Sequence, residues 1–128
     1  MPPDAKNNIA RLYTLLSKLS LESYLSSENF TIFCSKHDLA DIWREHVETS
    51  RDRPDLYGKD ITRNAFILFF DHLFQARPCE FLVILIDFLQ DFRNWNAYPL
   101  PIDAIKKECT GLGFPDKMVE DEFLKIGM

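Results

Sequence analysis

The segment 63–93, RNAFILFFDHLFQARPCEFLVILIDFLQDFR, limits what this chain can fold into more than any other part of it. Its first half places Phe66, Ile67, Phe69, Phe70, Leu73 and Phe74 over more than half of a helical circumference. Its second half, from Phe81 to Phe92, is apolar nearly all round, and a helix of that kind belongs in the middle of a bundle. The runs FILFF and FLVILI would also suit buried strands. Length decides for helix, because each segment runs well past the roughly 5–6 residues of an ordinary strand without a turn signal. Pro78 fits the first turn of the second helix, where a missing N–H costs nothing. Asp71, His72, Arg77, Glu80 and Asp87 interrupt the pair. Neither half offers the ~20 clean apolar residues of a membrane span, so no membrane association is expected. The expected fold is therefore all-α: a compact bundle of six to seven short helices around a central hydrophobic hairpin, about 63–76 and 78–93.

A length of 128 residues suits a single helical domain, 1–128. With 46% hydrophobic residues the chain has enough apolar surface to offset its conformational entropy, which excludes disorder. Four glycines are too few for an all-β fold built on tight turns. Ile9, Leu12, Tyr13, Leu16 and Leu19 form one stripe at helical spacing, with Asp4 as the expected cap. Residues 21–26 and 28–36 read as two short helices or one kinked helix. Asp38 is the expected cap of a helix over 39–49, with Leu39, Ile42, Trp43 and His46 on its inner face. Residues 50–61, SRDRPDLYGKDI, read as one long irregular stretch, broken by Pro54 and Gly58, with Thr62 capping the helix that follows. Residues 94–101, NWNAYPLP, read as a second loop. Two closing helices, 102–110 and 115–126, flank a turn built on Gly111 and Gly113.

Twenty acidic residues against fifteen basic ones give a net charge of −5, so no general polyanion-binding character is expected. The three cysteines, Cys34, Cys79 and Cys109, are widely spaced and form no CxxC. The opening residues show no basic stretch followed by an apolar run. Free thiols in a reducing cytoplasm are the expectation. The histidines, His37, His46 and His72, form no HxH, HxxxH or HExxH. Cys34 and His37 have CxxH spacing with Asp38 alongside, but a four-coordinate site needs a second pair. No phosphate-binding glycine motif occurs. Asp116, Glu120, Asp121 and Glu122 read as a solvated acidic face. No catalytic residue, metal or cofactor is expected.

What remains is an interaction surface. Arg51, Arg53, Lys59 and Arg63 cluster in and after the long loop, with Tyr57 among them. Asp52, Asp55 and Asp60 alternate with these cations and nearly cancel their field. That pattern disfavours nucleic acid and suits the carboxylates of a protein partner. Tyr57, Trp95 and Tyr98 are residue types enriched among interface anchors. The expected partner-binding residues are thus Arg51, Arg53, Tyr57, Lys59, Trp95 and Tyr98. The expected function is non-enzymatic, adaptor-like protein–protein interaction. Self-association is compatible with it, because so much Phe in a small chain can leave an apolar patch exposed. The alternative is a small nucleic-acid-binding or nuclease-type effector working through the Arg51–Arg63 loop and a histidine.

Over about residues 9–93 the chain loosely resembles the death-fold-type adaptor domains, including bacterial effector-associated domains. The shared features are a short Leu-rich helix, the segment FCSKHDL, a charged loop, and the helices RNAFILFFDHLF and FLVILIDFL. The last thirty-odd residues lie outside the likeness. The resemblance implies protein–protein contact.

Overall fold

The computed structural model describes residues 5–97 and 99–126. They form eight α-helices: α1 (Ala5–Ser17), α2 (Leu21–Leu25), α3 (Glu28–Lys36), α4 (Ala40–Arg51), α5 (Lys59–Ala76), α6 (Pro78–Asn96), α7 (Ile102–Gly111) and α8 (Asp116–Phe123). A 3₁₀ turn, Leu124–Ile126, follows, and no strand occurs among the described residues. The fold is all-α. No described helix is long and apolar enough to cross a membrane.

The hairpin of α5 and α6 is the centre of the bundle. Its helices run antiparallel: the Phe74 ring meets Phe81 at 5.2 Å, and Phe66 and Phe70 meet Phe88 at 6.2 and 5.2 Å. Phe88 is fully buried and also touches the rings of Tyr24, Phe30, Phe33 and Phe92. Edge-on and offset contacts of this kind suit aromatic quadrupoles. The first helix joins through Tyr13, whose ring lies 5.2 Å from Phe66. At the other side of the hairpin, α7 is tied to α1: Asn8 Nδ2 and Arg11 Nε donate to Glu108 Oε1 at 3.0 and 2.8 Å. The closing 3₁₀ turn is held by Gln90 and Arg93, which donate to the carbonyls of Lys125 and Ile126.

Several helix ends differ from the sequence expectation. Helix α4 continues through Ser50, which is wholly buried and accepts a 2.9 Å hydrogen bond from Asn64 Nδ2. Helix α5 begins at Lys59, so Thr62 lies inside it and caps nothing. The irregular stretch shrinks to residues 52–58. Asp38 does not cap α4 either: its φ of 59° is left-handed, and Leu39 precedes the helix without a side-chain cap. Helices α2 and α3 are separate. Ser27 divides them, donating to the Tyr24 carbonyl at 2.6 Å and accepting from the Phe30 N–H at 3.3 Å. Helix α6 runs on through Trp95 and Asn96, three residues into the expected 94–101 loop. Asn96 Nδ2 donates to the Leu19 carbonyl at 2.6 Å and fastens that end to the end of α1. The expected cap Asp4 lies outside the described residues.

Candidate interaction surface

Helix α4 is the element least committed to the core. Its one fully buried residue is Ser50, while Ile42, Trp43, His46 and Val47 are half-buried. Antiparallel packing on α5 is set by Trp43 against Phe69, at 5.3 Å, and by Ser50 against Asn64. A cavity of about 290 Å³ flanks α4 on the α3 side, lined by Thr31, Cys34, Trp43, Val47 and Arg51 among others. A second, of about 300 Å³, lies where α4 meets α2 and α5, and its walls include Leu25, Trp43, Val47, Arg51 and Ile61. Trp43, Val47 and Arg51 line both. The two cavities therefore share an apolar wall with a guanidinium beside it.

The turn from α4 into α5 is built on one internal ion pair. Arg53 Nε and Nη2 donate to the two carboxylate oxygens of Asp55 at 3.1 and 2.6 Å. This bidentate hydrogen bond from Arg53 holds the Asp55 carboxyl below its ordinary range. It also leaves Arg53 engaged within the chain. The turn then carries Tyr57 outward, 75% exposed, and passes through Gly58 at φ 49° into α5. Arg51 and Lys59 are exposed and make no ion pair or side-chain hydrogen bond with a described residue. Arg51, Arg53, Tyr57 and Lys59 lie on and beside this short turn, Arg51 ending one helix and Lys59 starting the next.

Trp95 departs from the expectation. It sits in the last turn of α6 rather than in a loop, half-buried, with its ring 5.6 Å from Tyr24 and 6.4 Å from Phe92. Tyr24 in turn is buried and donates from its hydroxyl to Asp91. Trp95 closes the aromatic core at the end of the hairpin. Tyr98 lies outside the described residues.

Two of the three thiols are buried, and His37 is engaged by a carboxylate. Burial pushes Cys34 and Cys109 up to about 12, so both remain thiols at neutral pH, and Cys79 is exposed. His37 does not turn toward Cys34 chemistry; its Nε2 lies 2.6 Å from Asp87 Oδ2, and Lys36 Nζ joins the same oxygen at 3.1 Å. Burial acts to raise the Asp87 carboxyl, but the hydrogen bonds from His37 and Lys36 prevail and hold it low. Among the described residues no group of three or more His, Cys, Asp or Glu is placed to hold a metal ion.

Sequence reasoning missed two features. One is the α4 groove, for which Trp43 on an otherwise charged helix was the available signal. The other is the approach of His46 on α4 to His72 on α5, with ring centroids 5.6 Å apart. Burial, then the neighbouring His72, pushes the His46 pKa down. No family model, curated protein or solved structure matches this chain. The likeness of residues 9–93 to death-fold adaptors rests on the sequence segments alone.

Proposed function

We propose that this protein is a non-enzymatic interaction module that receives a short segment of a partner protein along α4 and the turn after it. The observation that carries the reading is the setting of Tyr57. It is a large aromatic side chain held out in solvent by an internally braced turn, and that turn follows the unpaired Arg51, which lines two cavities. Aromatic and arginine side chains supply most interface anchors, because they combine large contact area with directional hydrogen bonding. The matching segment has an apolar side chain for the Trp43–Val47 wall and a carboxylate for Arg51. A cytoplasmic setting belongs to the same reading and is supported by three thiols that remain free.

The test is selection of peptides from a random display library on the folded protein. Enriched sequences are expected to pair an apolar residue with Asp or Glu. Arg51→Ala and Tyr57→Ala should each weaken the selected peptides at least tenfold with an unchanged circular dichroism spectrum. No enrichment, or enriched peptides indifferent to both substitutions, would overturn the proposal. Sedimentation at several concentrations separates a second copy of the chain from a foreign partner as the occupant.

A further inference from the structure

We propose that His46 and His72 form a two-imidazole site for a borderline divalent transition-metal ion of the zinc, nickel or copper class, which clips α4 to α5. The two rings come from different helices and approach to 5.6 Å between centroids. Neither imidazole hydrogen-bonds or ion-pairs with a described residue, unlike His37, which is engaged by Asp87. Both rings therefore keep nitrogen lone pairs to offer.

The separation fits. With a metal–nitrogen bond of about 2.0–2.1 Å and a ring centroid about 1.1 Å behind its nitrogen, two bound imidazoles have centroids about 5.2 Å apart at a tetrahedral angle and about 6.4 Å apart when opposed. The observed 5.6 Å lies between these limits. The rings meet at 60°, and His72 is exposed and free to turn about χ2 to bring its nitrogen round. Imidazole nitrogen suits zinc, copper and nickel, and not the hard ions that prefer oxygen. No third His, Cys, Asp or Glu among the described residues completes the set, so water fills the other positions and the ion exchanges readily.

Competing ligands favour the same pair. Cys34 and Cys109 are buried as thiols and do not compete. Cys79 is exposed, and the experiment must separate it. What the ion would do follows from its position. Helix α4 is otherwise held by half-buried side chains and one buried hydrogen bond, with a cavity on each of two sides. A bridge to α5 tightens a helix that has only one fully buried residue.

Isothermal titration of the full chain with zinc chloride, and then nickel chloride, tests this. One ion per chain is expected, together with a zinc-dependent rise in Tm that EDTA reverses. His72→Gln, an exposed substitution, should lose at least tenfold in zinc affinity and abolish the Tm rise. His46→Gln should do the same, and Cys79→Ser should change neither. Zinc should also slow amide exchange in α4 in the wild type and not in His72→Gln. No zinc binding by the wild type, undiminished binding by His72→Gln, or loss of binding in Cys79→Ser would each overturn the proposal.

Discussion

Replacement of Phe88 by alanine probes the aromatic centre most sharply. Phe88 is 0% exposed and lies within 5.2 to 6.4 Å, centroid to centroid, of Tyr24, Phe30, Phe33, Phe66, Phe70 and Phe92. Those rings belong to α2, α3, α5 and α6, so no single helix can slide in to fill the space. Buried Phe→Ala changes cost about 3–5 kcal/mol, and more when the site cannot collapse. Lost edge-on contacts add about 0.5–1.5 kcal/mol per well-placed pair, though not additively. Alanine recovers about 0.5 kcal/mol as the better helix former. The balance is a loss of about 4–5 kcal/mol, a large share of the ~5–15 kcal/mol that stabilises a domain. At about 2.1 cal/mol/K of unfolding entropy per residue, a chain of 128 residues should then melt roughly 15–19 °C lower. Urea unfolding followed by circular dichroism reads the change as a lower midpoint at unchanged slope. Val83→Ala, on the same helix but 47% exposed, is the control and should stay within about 0.5 kcal/mol of wild type. A Phe88→Ala loss below about 1.5 kcal/mol, or one equal to that of Val83→Ala, would refute the reasoning.

Other perturbations test separate links. A Cβ at Gly111 would stand 2.4 Å from Asn8 Nδ2, whose hydrogen bonds to Glu108 join α1 to α7, so Gly111→Ala should cost about 1–3 kcal/mol. Adding Asn8→Ala should then cost less than it does alone, and additive losses in urea unfolding would contradict the contact. Ser50→Ala removes the acceptor of Asn64 in a fully buried place and should cost about 1–2 kcal/mol, with hydrogen exchange quickening in α4 before the other helices. The depressed His46 pKa means that the unfolded chain takes up this proton first. Stability should therefore be full above 6.5 and decline as pH falls from there through the folded value. The groups acting on His46 are His72, which opposes its charge, and Glu45, which favours it. His46→Gln should show a shallower acid decline than wild type in matched thermal melts; parallel curves would show that His46 is not the group responsible.

The central hairpin was legible because its apolar residues cover most of the helical surface, a pattern that only burial satisfies. The ends of helices were not, because tertiary contacts set them. Ser50 and Asn64 carry α4 and α5 toward each other past the point where hydrophobic spacing fades. The bond from Asn96 to the Leu19 carbonyl and the packing of Trp95 on Tyr24 extend α6 through a stretch whose composition resembles a loop. Asp38 has the chemistry of a cap but stands in a left-handed conformation that points the chain elsewhere. At the candidate surface, Arg51, Arg53, Tyr57 and Lys59 come together because they are neighbours in sequence. The wall supplied by Trp43 and Val47, and the meeting of His46 with His72, depend on the register of α4 against α5, which no local pattern encodes.

The central question is whether the end of α4 and the following turn form a binding surface separable from the fold. Backbone amide shifts of the isotope-labelled protein, recorded as a display-selected peptide is added, measure this directly. The expected changes concentrate between Trp43 and Ala65, led by Arg51 and Tyr57, with the core of α6 unmoved. Changes centred on α7 and α8, or spread evenly through the aromatic core, would contradict it.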